Sequence, residues 1–195
     1  SLIGVLQRLD GVHDLIAAGT EIPNFDYQSP LLSLPAAFKT NTGNIVDANG
    51  YLRADTATVA KWSEFLGKKT KPRVGIVWSG NTAHSNDHNR SLTLAQMLAQ
   101  IPIEAEIVSL QKELRTVDQA TLEGNPRLRH FGENLHDFSD TAALCSLMDV
   151  VISVDTSVAH LSAALGLRTW ILLPFSPDWR WLLNRTDSPW YTSVT

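Results

Sequence analysis

Apolar and polar positions first fall into a regular pattern at Val74-Gly75-Ile76-Val77-Trp78, a short apolar run halted by Ser79-Gly80-Asn81. Such a run, bounded by turn residues, reads as a buried strand. Thr93-Leu94-Ala95-Gln96 has the spacing of a capping box, and Leu94, Met97 and Leu98 make an apolar stripe behind it, so a helix is predicted there. A strand follows at Ala105–Leu110, then a helical stretch over Glu113–Leu122 stopped by Gly124-Asn125-Pro126, then a short strand at Leu128–Phe131. Ser139 or Asp140 caps a helix running to Met148, Val150–Val154 is a strand, Thr156–Leu165 is a helix closed by Gly166, and Thr169–Leu173 is a strand. Strands that are apolar almost throughout and alternate with helices predict an α/β fold, a parallel sheet with helices on both faces.

Upstream the pattern is weaker. Asp55 caps a helix over Thr56–Leu66, with Val59, Trp62, Phe65 and Leu66 on one side and Gly67 past its end. Residues 39–54 are rich in Asn, Gly, Thr and Asp and read as a linker, whereas residues 1–38 carry only scattered apolar pieces. The expected organisation is therefore a tail of another domain plus linker at 1–54, a connecting helix at 55–71, and one α/β domain at 72–195.

Composition narrows the classes. Hydrophobic residues make up 44% of the 195 and charged residues 18%, which suits a chain that buries a core. The net charge is −4 and the sixteen Lys and Arg are scattered, apart from Lys68, Lys69 and Lys71. Nucleic acid is not an expected partner, because phosphate-backbone affinity needs a concentrated basic face. No apolar run approaches the length of a membrane span, and Ser1-Leu2-Ile3-Gly4 shows no secretory leader. The sole cysteine, Cys145, lies in an apolar helix and reads as a buried small hydrophobe. A cytoplasmic location is the expectation.

The richest chemistry lies at Val150–His160. A buried strand ends at Val154, Asp155 is the expected N-cap, and Thr156 and Ser157 fall in the first turn of the next helix. Free backbone N–H groups, the helix dipole and two hydroxyls then converge where an anion can bind. His160 follows Thr156 by four residues and shares its helix face. The same residues equally describe a plain capped helix with a packed histidine. Ser79, Gly80 and Asn81 follow the first strand and open on the same sheet edge. They lead to Arg90, whose guanidinium fork suits phosphate and equally suits a solvated loop. Ser109, Gln111 and Lys112 end the second strand, where they can meet a nucleoside or merely begin a loop. Asp87 with His84 and His88 has poor spacing for a metal and lacks a fourth ligand, so neither metal nor cofactor is expected. The aromatics of Leu173–Trp181 read as packing more than as a ligand platform, with Asp178 and Arg180 able to pair.

Asp155-Thr156-Ser157-Val158-Ala159-His160 resembles the Asp-Thr-Gly-x-x-His motif of the family 9 glycosyltransferases, the lipopolysaccharide heptosyltransferases. Phe25–Phe38, Val74–Asn81, Asn89-Arg90-Ser91, Ser109-Leu110-Gln111, Asp137–Leu144 and Leu172–Trp181 are similar to the C-terminal part of bacterial tetratricopeptide-repeat proteins carrying a heptosyltransferase-like domain. The resemblance implies the C-terminal, Rossmann-like half of a GT-B fold with a fragment of the N-terminal half. It implies an enzyme that moves a sugar from a nucleotide-diphosphate donor to an acceptor hydroxyl on a glycan, lipid-linked sugar or protein. Donor phosphates would meet Ser79, Gly80, Asn81, Arg90, Asp155, Thr156, Ser157 and His160. The nucleoside would lie near Ser109, Gln111, His136 and Phe138. The general base would lie in the N-terminal half, outside this chain. Ser157 stands where the motif has Gly, which bears on how closely a phosphate approaches. A nucleotide-binding module without catalysis is the alternative. A dehydrogenase is disfavoured, because no G-x-G-x-x-G turn follows the first strand.

Overall fold

A computed structural model describes residues 1–46 and 50–195; Asp47, Ala48 and Asn49, part of the expected linker, lie outside the described residues. In chain order the elements are α1 (Ile3–Leu6), α2 (Leu34–Ala37), α3 (Thr56–Leu66), β1 (Arg73–Val77), α4 (Asp87–Arg90), α5 (Leu94–Leu98), β2 (Glu106–Ser109), α6 (Gln119–Glu123), β3 (Leu128–His130), α7 (Phe138–Cys145), β4 (Val150–Val154), α8 (Ser157–Ala164) and β5 (Thr169–Leu172). The five strands form one parallel sheet in the order β3-β2-β1-β4-β5. This is the expected α/β architecture.

Alternation along each strand decides which face each residue serves. Val74, Ile76 and Trp78 join Ile107, Leu128 and Ile152 under Leu94 and Met97 of α5. Val77, Val108 and Val151 point the other way, onto Trp62 and Leu66 of α3 and Ala143, Leu144 and Cys145 of α7. Each such aliphatic side chain stabilises the fold by about 1.5–3 kcal/mol on burial. Gly75 lies between these layers. A β-carbon there would sit 2.7 Å from Leu110 Cδ1 and 2.9 Å from Met148 Cγ, so glycine lets both side chains close on β1.

Local chemistry set several boundaries differently from the pattern. α7 is capped by Asp137, whose carboxylate accepts from Ser139 N, so Ser139 and Asp140 lie inside the helix. Asp140 faces inward instead, accepting from Trp62 Nε1 at 3.0 Å and from His136 N at 3.1 Å. The expected helix at 113–122 survives only as a 3-10 turn, Thr116–Asp118, and α6. Its first residues are held out of the helix, because Glu113 O accepts from the Gln111 amide and Arg115 is extended. The cap at Asp55 and the capping box at Thr93 form as expected.

The N-terminal segment is tied to the α/β layers by apolar packing, by backbone bonding and by an ion pair between Arg8 and the α3 cap Asp55. Val5 is buried with Leu52, Ala142, Leu161 and Ala164, and Leu52 N donates to Ala164 O. At the β5 edge of the sheet, backbone bonds between Thr169 and residues Ser193 and Thr195 continue it past β5.

Candidate functional site

The strand order reverses direction between β1 and β4, and in open α/β sheets the carboxyl ends of the strands at such a point form a crevice. The residues after β1 are fixed from below. Trp78 is fully buried and its Nε1 donates to Asp118 at 2.8 Å, while the other Asp118 oxygen accepts from Leu94 N at 2.7 Å. One buried carboxylate therefore anchors both the end of β1 and the start of α5. Trp78 N and Ser79 N both donate to Gln111 Oε1, and the Gln111 Nε2 donates to Ser79 Oγ and Glu113 O. Gly80 N donates to Ser91 Oγ at 3.0 Å. A β-carbon on Gly80 would fall 2.5 Å from Arg90 Nη2 and 2.8 Å from Asp87 Oδ1, so glycine is what admits these charged groups beside the backbone.

Asp87 is buried and lies between two arginines. Its carboxylate pairs with Arg115 Nη2, lies 3.6 Å from Arg90 Nε, and accepts from Ser91 Oγ at 2.8 Å. Burial alone would raise its pKa, but the Ser91 and Arg115 hydrogen bonds and the two positive charges outweigh that and hold the carboxyl below its ordinary range. Arg115 Nη2 also donates to Gly80 O at 3.0 Å, and Arg90 Nη1 donates across the crevice to Asp155 O at 2.9 Å.

On the β4 side the cap is one residue later than expected. Thr156, extended at φ −141°, is the N-cap of α8, with no side-chain bond closing the first turn. Asp155 does not cap because its carbonyl is engaged by Arg90 and its carboxylate lies 3.7 Å from His160 Nε2. Thr156 Oγ1 sits 3.1 Å from Ser153 Oγ. The first amides of α8 thus point outward with the positive end of the helix dipole.

Between these walls lies a cavity of about 930 Å³. Ser79, Gly80, Asn81, Arg90, Thr156 and Ser157 line it. Gln111, Lys112, His136 and Phe138 line it too, with Arg115, which the sequence pattern did not single out. Ten of the residues singled out in the sequence for phosphate or nucleoside are therefore brought together. Three are not. Ser109 is fully buried with its Oγ 2.9 Å from His130 Nδ1, and neither Asp155 nor His160 lines the cavity. The His160 ring stacks on Trp181 at 5.1 Å between centroids, and Nδ1 lies 3.2 Å from the Tyr191 hydroxyl. Burial lowers its pKa, with Asp155 opposing and Arg180 reinforcing the shift. Asp178 and Arg180 pair at 2.7 Å, and the Arg180 guanidinium covers the Trp179 ring. Among the described residues no group of His, Cys, Asp and Glu is arranged to hold a metal ion, and no helix is long and apolar enough to cross a membrane.

No family model matches the chain. Over 177 residues, 87% of the chain, it is 24% identical to Protein FlbA of Caulobacter vibrioides, and it spans only 29% of that protein. A solved structure of the ADP-heptose LPS heptosyltransferase II of E. coli has a TM-score of 0.47 and 16% identity to it, over 74% of this chain and 44% of that one.

Proposed function

We propose that this chain binds the nucleoside diphosphate of a nucleotide-sugar and forms the donor half of a glycosyltransferase. The observation that carries the reading is the cavity at the reversal between β1 and β4, which Ser79, Gly80, Asn81, Arg90, Thr156 and Ser157 line from both strand ends. The open amides of α8 and the Arg90 fork offer donors to a diphosphate without a metal. As the glycosidic bond breaks, negative charge grows on the leaving diphosphate, and fixed donors aimed at it lower the barrier. His160 and Asp155 act from behind in this account, His160 steadying Asp155 and Asp155 O holding Arg90. The nucleoside is assigned to the part of the cavity bounded by Lys112, His136 and Phe138, with Gln111 shaping the turn beside it. The motif resemblance at Asp155–His160 supports sugar transfer over other nucleotide chemistry, in a cytoplasmic bacterial protein of the tetratricopeptide-repeat kind.

A second reading, a binding module that performs no transfer, is favoured by one observation. Asp137, which lines the cavity with Glu113, is engaged as the α7 cap; burial would raise its pKa, but hydrogen bonds from Ser139 and the Asp140 amide with the N-terminal charge together outweigh that and hold it below its ordinary range, which makes it a poor base. Calorimetry with ADP, GDP, UDP and CDP in the presence of chelator tests the shared claim of both readings. Saturable binding of one of them at 1:1 stoichiometry is expected, and binding that vanishes with chelator overturns the metal-free site. Turnover of the matching nucleotide-sugar then separates transfer from binding alone.

A further inference from the structure

Each arginine at the turn after β1 uses only part of its fork on the protein. Arg90 donates Nη1 to Asp155 O. Arg115 directs Nη2 to Gly80 O, Ser91 Oγ and Asp87. Among the described residues, Arg90 Nη2 and Arg115 Nη1 have no acceptor, and the Nε of each is buried without a hydrogen-bond partner, Arg90 Nε lying 3.6 Å from Asp87. Both side chains are mostly buried, at 16% and 25% exposure, yet both line the cavity. They come from different elements, Arg90 from α4 and Arg115 from the segment after β2. Asp87, at 8% side-chain exposure, is the carboxylate that pairs with both. Two guanidiniums and one carboxylate leave a single positive charge at this wall. An arrangement of this kind suits a multiply charged anion that takes donors from both forks.

Resting on the nucleoside-diphosphate reading above, we infer that Arg115 is a second phosphate-binding cation of this site and that Asp87 is its positioning residue, making the site selective for diphosphate over uncharged nucleoside. Asp87 opposes anion binding as a charge and favours it as a brace. The two roles predict opposite signs for its removal. A mere counter-charge, once neutralised, leaves a more positive wall and tighter anion binding. A brace, once neutralised, releases Arg115 from Gly80 and Ser91, and binding weakens although the net charge has become more favourable. The second sign is expected, because Asp87 holds Arg115 in place.

The test uses the full chain with inorganic pyrophosphate, the best-bound nucleoside diphosphate and the corresponding nucleoside, each titrated by calorimetry against wild type, Arg115→Gln, Arg115→Lys and Asp87→Asn. Arg115→Gln should weaken pyrophosphate and nucleoside diphosphate by about tenfold or more, the range for losing a hydrogen bond to a charged group, while nucleoside binding stays put. Arg115→Lys should recover part of the loss, because it keeps the charge without the fork. Asp87→Asn should weaken pyrophosphate by about fivefold. If Arg115→Gln does not fold, Arg115→Lys and Asp87→Asn still decide by their signs. Unchanged or tighter pyrophosphate binding in Asp87→Asn overturns the positioning role, and equal losses for nucleoside and diphosphate in Arg115→Gln overturn the phosphate role. A wild-type chain that binds none of the three ligands refutes the nucleotide reading itself, which keeps the two failures apart.

Discussion

His160→Ala separates two accounts of one residue. Sequence spacing leaves His160 either a phosphate ligand above the start of α8 or a packed histidine; in the structure its ring lies against Trp181 and Tyr191 of the C-terminal segment. The substitution removes a ring stacked on Trp181 at an interplanar angle of 18° and a partner of the Tyr191 hydroxyl. An aromatic pair contributes about 0.5–1.5 kcal/mol beyond area burial, and a neutral hydrogen bond about 1 kcal/mol. The ring is about one-third exposed, at 34%, so the sum is taken near its middle, about 2 kcal/mol. For a chain of this size that is a fall in Tm of about 4–8 °C. Affinity for a nucleoside diphosphate should fall by only about threefold, through loosening of Asp155. Scanning calorimetry on both proteins, with a diphosphate titration at a temperature where both are folded, reads the two quantities. An unchanged Tm with a loss of affinity beyond about tenfold would refute the reasoning, because it would put the imidazole on the ligand.

Asp118→Asn should cost about 2 kcal/mol in a urea titration, since one of the two buried donors, Trp78 Nε1 or Leu94 N, then faces an amide hydrogen instead of a carboxylate oxygen. Cys145, fully buried and with its thiol pushed up to about 12 by that burial, should react with a thiol reagent only in denaturant, and fast labelling of the native chain would contradict its placement. Burial lowers the pKa of both His160 and His130 below the ordinary 6.5. The unfolded chain therefore takes up protons first, and stability present above that pH should decline as the pH falls from 6.5 toward the folded values. The double variant His160→Asn, His130→Asn should flatten that decline, and an unaltered slope would assign it to other groups.

The sheet was legible because each strand is a short apolar run closed by turn residues, as at Val74–Asn81 and Val150–Thr156. Its order was legible only as a class, since parallel pairing is fixed by contacts distant in sequence, such as Gly75 with both Val108 and Val151. The capping errors have a common cause. Ser, Thr and Asp all cap, and which of two neighbours does so depends on what else competes for it. Asp155 is drawn off by Arg90 and His160, whereas Asp140 is drawn inward by Trp62. Arg115 escaped notice because its partner Asp87 lies 28 residues earlier, beyond any local pattern. Spacing of four does place His160 near Thr156 on α8, but the side chain's surroundings are set by Trp181 and Tyr191, which no periodicity within the helix reveals.

The central claim is that a nucleoside diphosphate enters the crevice between the ends of β1 and β4. Amide chemical shifts of the isotope-labelled chain, followed during titration with the best-bound diphosphate in chelator, test it most directly. The account predicts that the largest saturable changes fall on Gly80, Asn81, Ser157 and Val158, the backbone facing the cavity from both strand ends. Changes confined to other surfaces, or no change with any diphosphate, would contradict it.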